Sequence, residues 1–228
     1  MQLAHEPRLS FDVPNGRLAL SAADLELWAE HLAWCYSFMG VAHGATIAAQ
    51  DFGGSPISFL GSALLMPGLR AGVAERMEGR FICLDASAER VTLTPAVLAQ
   101  LPVDALVVRA DVLGLLQTEM AKRSRAGFGS LRLIVAIGES DRPVRGAGVW
   151  RHLLNVPASM LIAPQCPACR RFHLRDGFYR AEADGGIRNL RLLGVPRCHL
   201  QFAEILPPGS CAASPGDACV GYPESEKG

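Results

Sequence analysis

The chain has 228 residues, half of them hydrophobic and 19% charged, and its formal net charge is zero. That balance supports a sizeable core, in one large domain or two small ones, and excludes global disorder. Neutrality also argues against a dominant electrostatic partner, so neither nucleic acid nor an anionic membrane is expected. No apolar run reaches the roughly 18 residues that a membrane helix needs. The start, Met1-Gln-Leu-Ala-His-Glu-Pro7, lacks a basic stretch followed by an apolar one, so no signal peptide is expected. Seven cysteines, an odd number in a mid-sized chain, do not make a secreted disulfide framework. The expected location is the cytoplasm, with thiols reduced or metal-bound.

The first twenty residues read as a leader with a Pro14-Asn15-Gly16 turn signal. Ser21 with Asp24 is a capping-box pattern. Leu25, Trp28, Leu32, Cys35 and Met39 follow as one apolar helical stripe, ended by Gly40. Ala45–Ala49 reads as a strand, and Ile57–Met66 as a helix. The Asp51-Phe-Gly-Gly-Ser-Pro56 stretch between them has neither Walker nor dinucleotide spacing, so a plain tight turn is the better reading. Further strands are expected at Arg80–Leu84 and Ala105–Val108. Helices are expected from Thr94-Pro95 to Leu101 and from Asp111 to Lys122, the basic run Lys122-Arg-Ser-Arg125 being a solvated helix end. Leu131–Ile137 is a continuous apolar run, bounded by glycines, of the kind buried on both faces of a parallel sheet. A helix over Val144–Leu154 and a strand over Ser159–Ile162 complete the pattern. Five strands alternating with four helices predict an α/β fold, a mostly parallel sheet of about five strands with flanking helices. A small C-terminal β appendix follows. In it, Phe178–Ala183 and Ile187–Leu193 form a hairpin about Asp184-Gly-Gly186, and Cys198–Leu206 adds one more strand. The expected division is a leader over 1–20, the α/β domain over 21–163, the cysteine-containing appendix over 164–206 and a disordered tail over 207–228.

Cys166-Pro-Ala-Cys169 is half of a zinc-knuckle pattern, because two thiolates on a tight turn can grip one tetrahedral ion. His173 lies four residues on. The hairpin could return Cys198 and His199, and Cys198 is the better fourth ligand because thiolate is the commoner structural donor. If Cys198 lies elsewhere, His199, Cys211 or Cys219 must replace it. Redox-active or inert cysteines are the alternatives to structural zinc. His31, His43 and His152 stand alone and read as ordinary histidines, and no Gly-x-Ser-x-Gly elbow occurs.

The order of pieces from Ser21 to Glu182 resembles the phenylacetate–CoA ligase group of adenylate-forming enzymes. Ser21–Met39 is similar to the helix after that group's phosphate loop, and Gly40-Val-Ala-His-Gly-Ala-Thr-Ile47 to the turn and strand that follow. Leu131–Ser140 resembles the strand whose Gly-Glu turn lines the adenine pocket. His173-Leu-Arg-Asp-Gly-Phe-Tyr179 resembles the segment after the active site, where related proteins carry Cys/His zinc sites. The resemblance implies part of the ligase N-terminal domain. It also implies a crevice for ATP, AMP, CoA or an aryl acid, with Gly138, Glu139 and Ser140 as contacts. A structural reading of Glu139 is a cap for the next helix. The departures are specific. Phe11–Leu20 is not a Ser/Thr/Gly-rich phosphate loop, and Leu161-Ile-Ala-Pro-Gln165 stands where the group has Tyr-Gly-x-Thr/Ser-Glu. The ribose-binding Asp and the lid Lys have no counterpart. Phosphoryl chemistry depends on positioning and charge neutralisation. The expectation is therefore a reduced relative that binds ligand without ligating alone, with a protein partner supplying the missing parts. The rival is a zinc-stabilised interaction or regulatory module with no enzymatic role.

Overall fold

The computed structural model describes residues 9–13, 16–52, 55–123, 131–138, 149–192, 195–200 and 204–221. It divides into two compact units, Leu25–His152 and a second one made of Met1–Asp24 with Leu153–Gly228.

The first unit is an α/β sandwich layer on four parallel strands. These are β3 (Thr46–Gln50), β4 (Arg80–Leu84), β5 (Ala105–Arg109) and β6 (Leu133–Ile137), in the order β4-β3-β5-β6. Ala48 pairs in register with Leu106, and Leu106 with Ile134. These side chains, with Val108 and Ala136, meet Leu113, Leu116 and Met120 in one buried cluster. The last three come from helix α6 (Ala110–Arg123). Every residue of β3 and β6 is buried, as their uninterrupted apolar sequences require. Helix α1 (Ala22–Met39) starts with the reciprocal cap that its sequence announces. Ser21 N donates to Asp24 Oδ2 at 2.8 Å, and Asp24 N donates to Ser21 Oγ at 3.2 Å. It ends at Gly40, whose φ of 99° suits glycine, with Val41 N donating back to Tyr36 O. Leu25, Trp28, Leu32, Cys35 and Met39 are all buried.

Two expected helices are replaced. The 57–66 helix is a single turn, α2 (Pro56–Phe59). Beyond it the Glu75 carboxylate, on α3 (Val73–Arg76), takes the Ser62 hydroxyl at 2.6 Å and the Ala63 and Gly72 amides at 3.1 and 2.8 Å. These bonds fold residues 61–72 into a loop. The 144–154 helix is instead strand β7 (Val149–Val156), paired antiparallel with β8 (Leu161–Pro164). The β-branched and aromatic residues Val149, Trp150 and Val156 favour an extended chain, and the partner strand supplies the cross-strand pairs. Between them α4 (Ala88–Val91) and α5 (Thr94–Gln100) precede β5, the second close to its expected limits.

The second unit is built from short antiparallel strands. Its leader is a hairpin, β1 (Leu9–Val13) with β2 (Gly16–Leu20), either side of the expected turn. The expected hairpin appears as β10 (Tyr179–Ala181) with β11 (Gly186–Asn189), joined by β12 (Cys198–His199). A second sheet, ordered β13-β14-β9, contains β9 (Phe172–Leu174), β13 (Glu204–Leu206) and β14 (Ala218–Gly221). Tyr179 donates its hydroxyl to Met160 O at 2.9 Å and accepts Ile162 N at 3.2 Å, locking the hairpin to the start of β8. The expected disordered tail departs from this picture. Residues 204–221 carry two strands and bury Cys211, Asp217, Cys219 and Val220. Their Pro, Gly and Ser content makes turns rather than loose chain.

Candidate metal centre and sheet-edge crevice

The chain leaves β8 and reverses within six residues. Gln165 bridges to Phe172, Cys166 N donates to Arg171 O at 2.8 Å, and Arg170 N donates to Cys166 O at 3.0 Å. Arg170 takes the left-handed conformation, φ 63°, that closes this turn. Ala168 N points at Cys166 Sγ, 3.4 Å away. The turn thus presents Cys166 and Cys169 together, and β9 delivers His173 behind them. From the other direction, the turns before β14 bring Cys211. One donor atom from each of Cys166, Cys169, His173 and Cys211 lies within 4.8 Å of every other.

The individual contacts are tighter. Cys166 Sγ lies 3.8 Å from Cys211 Sγ, and Cys169 Sγ lies 3.3 Å from His173 Nε2. A tetrahedral ion with bonds of about 2.3 Å holds its sulfurs about 3.8 Å apart, so the cysteine pair already has ligand spacing. His173 Nδ1 faces Asp217 Oδ2 at 3.4 Å. Asp217 is held in turn by Ser214 Oγ at 2.6 Å and Asp176 N at 2.8 Å. A carboxylate behind an imidazole is the usual outer partner of a histidine ligand, because it fixes the ring and leaves the far nitrogen to the metal. Zinc fits this donor set, which would hold it as a structural ion.

Charge follows the geometry. Burial pushes the Cys169 thiol up to about 12, against the pull of the Arg171 amide, with Cys211 and Cys166 adding to the rise. At Cys211 burial acts the same way but is outweighed by the Ala213 amide and by Cys169, Cys166 and His173, which bring it to about 7. For Asp217 burial is again outweighed, here by His173, Ser214 and the Asp176 amide, so its carboxyl sits below the usual range. One thiol that ionises readily beside one that resists is an arrangement that a divalent cation would complete, since metal ligation takes the thiolate form.

The structure brings together three of the four expected ligands. The fourth place goes to Cys211. Cys198 lies on β12 opposite Ile187, inside the apolar cluster with Phe178, Tyr179 and Leu154, and behaves as a small hydrophobe. His199 is exposed on the same strand. Cys211 and Cys219 sit in a stretch whose composition reads as tail; only the sulfurs themselves signal a role there.

The other candidate site lies within the parallel unit. The strand order places a topological switch between β3 and β5, where open α/β sheets bind ligands at the carboxyl edge. Asp51 and Phe52 leave β3 there. The Arg109 guanidinium, at the end of β5, stands 4.4 Å over the Phe52 ring and pairs with Asp111. Phe52 remains 47% exposed, unusual for a ring beside a sheet core. Burial raises the Asp51 carboxyl, although Ser55, the Phe52 amide and Arg109 oppose it. Tyr36 and Ser58 are buried with hydroxyls that lack a partner among the described residues. The Tyr36 phenol is pushed well up, by burial first and then by Cys35, Asp51 and Cys83. Gly138 ends β6 at the same edge with φ 119°. Glu139 and Ser140 lie outside the described residues. Of the other histidines, His31 is fully buried against Trp34, with ring centroids 5.5 Å apart, and His43 is exposed.

No family model matches the sequence. No curated protein matches it. Solved structures do. 2-Hydroxyisobutyryl-CoA ligase in the postadenylation state, in complex with R3-HIB-AMP, superposes with a TM-score of 0.61 at 12% identity. That match covers 88% of this chain and 42% of the ligase. An open conformation of the same enzyme, in complex with 2-HIB-AMP and CoA, gives 0.52 at 15% identity, over 68% of this chain and 34% of the ligase. The fold is therefore similar to part of the fold of this CoA ligase, and the chain spans less than half of the ligase's length. Among the described residues no helix is long and apolar enough to cross a membrane.

Proposed function

We propose that this chain is a reduced relative of the phenylacetate–CoA ligase group that binds a nucleotide, acyl or CoA ligand at the sheet edge and does not ligate by itself. The observation that carries the reading is the exposed Phe52 face under Arg109 at the β3/β5 switch point, in a ligase-type sheet. An exposed ring beside a fixed cation suits a planar, anionic ligand such as an aryl carboxylate or an adenylate. The catalytic limit comes from inside the chain. Strand β2 occupies the stretch before α1 where the group has its phosphate loop, and Leu161-Ile-Ala-Pro-Gln165 forms β8 and its bridge where a metal-placing Glu is expected. A protein partner in the cytoplasm would supply these parts. Calorimetry with AMP, ATP, an aryl acid and CoA tests the binding claim. Micromolar affinity for at least one, lost in Arg109→Ala, is expected. Silence toward all four from folded protein refutes it, and release of pyrophosphate from ATP and an aryl acid refutes the catalytic limit.

A second reading is favoured by the Cys/His cluster. In it the sheet edge is vestigial, and the chain serves as an interaction or regulatory module whose second unit is held by structural zinc. The two readings part on whether the sheet edge binds anything.

A further inference from the structure

Beside the four donors of the cluster stands a fifth, the Cys219 thiol, next to His173. Cys166, Cys169 and Cys211 all sit on turns, so their sulfurs can adjust to an ion. The remaining two donors sit on strands. His173 of β9 and Cys219 of β14 are register partners across the antiparallel pair, so their side chains stand on the same face. Cys219 Sγ lies 3.3 Å from His173 Nε2, the same separation as Cys169 Sγ from that nitrogen. Both are sealed from solvent, His173 at 0% and Cys219 at 1% exposure. Three turn donors leave one coordination position, and the strand register places two donors beside it.

We propose that Cys219 is a reserve ligand of the metal centre. In the resting site Cys166, Cys169, Cys211 and His173 bind the ion, and Cys219 takes the fourth position when the imidazole is withdrawn. The inference rests on the reading of the cluster as a metal centre and adds a second closed shell to it. His173 is the resident ligand because its Nδ1 is engaged by Asp217, itself anchored by Ser214 and Asp176, which turns Nε2 toward the sulfurs. Cys219 has no such anchor to the metal position; it is carried there by the strand alone. A site able to close with either four thiolates or three and an imidazole suits a borderline-to-soft ion such as zinc, and suits magnesium or calcium poorly.

Cobalt(II) bound to the full chain reports the ligand set through its sulfur-to-metal charge-transfer band, whose intensity scales with the number of thiolates. Wild type should bind one cobalt with a three-thiolate spectrum, and Cys219→Ser should leave both unchanged. His173→Ala should still bind one cobalt, with the band raised by about one third as a fourth thiolate enters. His173→Gln, closer in volume, repeats this test if the alanine variant fails to fold, with circular dichroism as the control. The double variant His173→Ala/Cys219→Ser should bind at least about 100-fold more weakly than wild type, the upper end for losses caused by outer-shell changes. A band reduced by about a quarter of a four-thiolate wild-type spectrum in Cys219→Ser would make Cys219 a resident ligand and overturn the proposal. So would loss of cobalt in both His173 variants while wild type binds it. A wild-type chain that takes up no cobalt would overturn the metal reading itself.

Discussion

Both units bury an apolar cluster, and among the described residues only the second adds a group of thiols and an imidazole to it. In the Leu25–His152 unit the sheet is its own explanation. Strands β3 and β6 are buried along their whole length, and Leu106, Ile134 and Leu116 meet with no exposure at all. Burial of a leucine-sized side chain contributes roughly 1.5–3 kcal/mol, so a few such residues stabilise the layer. In the other unit, strands from β9 onward are two to four residues long. They still bury an apolar cluster that includes Leu154, Leu161, Phe172, Phe178 and Val220. Beside that cluster a knot of thiols and one imidazole joins the turns after β8 and before β14 to strand β9. The contrast is between a unit that rests on its apolar sheet alone and one that adds a cluster of metal-type donors to its apolar core, and if that cluster holds zinc the two should fail under different treatments.

The largest effect is expected from the donors. The double variant Cys166→Ser/Cys211→Ser, which leaves three donors even with Cys219, should abolish stoichiometric zinc and loosen residues 161–181 and 211–221, read as faster amide exchange, while β3, β5 and β6 stay protected. Structural zinc in small folds contributes on the order of 10 kcal/mol, more than short strands can replace. Next comes the apolar core of the first unit. Leu116→Ala leaves a hole against Leu106 and Ile134 and should cost about 2–5 kcal/mol in chemical denaturation, with zinc content unchanged. If it stripped the metal as well, the separation of the two mechanisms would fail. Smaller again is Gly79→Ala. A Cβ there would lie 2.3 Å from the Ala45 carbonyl oxygen, at the start of β3, so backbone must shift. About 1–3 kcal/mol is expected, measured the same way.

The Glu75 clamp sharpens the comparison through pH. Its carboxyl sits below the usual range because the Ser62 hydroxyl and the Ala63 and Gly72 amides outweigh the contrary effect of burial. A depressed folded pKa means stability that is present above the unfolded value, near 4.3, and lost as pH falls through the folded one. Glu75→Gln should therefore lower the melting temperature at neutral pH by the equivalent of about 1 kcal/mol and flatten its fall below about pH 4. Thermal scans across pH 3–7 measure this. The smallest effect on stability should come from Phe52→Ala. Its ring is half exposed, so melting should barely move, whereas affinity for any ligand bound at the sheet edge should fall about tenfold, equivalent to about 1.4 kcal/mol.

The same contrast explains what the sequence revealed. Leu133–Ile137 was nearly legible because burial on both faces leaves a continuous apolar record, and Arg80–Leu84 was legible to the residue through its apolar Phe81–Leu84 run although none of its residues is fully buried. Ser21 and Asp24 announced α1 through side chains whose only local use is the cap. Val149–Val156 misled because Val, Leu and Trp spaced along eight residues fit either period, and its pairing partner lies beyond a turn. The Cys166/Cys169/His173 trio was visible as local spacing. Its completion was legible only as a choice among Cys198, His199, Cys211 and Cys219, because Cys211 lies 45 residues from Cys166 among prolines and glycines, and a ligand on a turn needs no hydrophobic pattern. Cys198 drew attention through its adjacent histidine, although its surroundings are Phe178, Tyr179 and Ile187.

The most direct test is metal content combined with amide exchange on the purified full chain, before and after chelation. The account predicts about one zinc per chain. On stripping it, exchange should accelerate through 161–181 and 211–221 and stay slow in 46–50, 105–109 and 133–137. Well under one zinc per chain, with 161–181 and 211–221 equally protected with and without chelator, would contradict it.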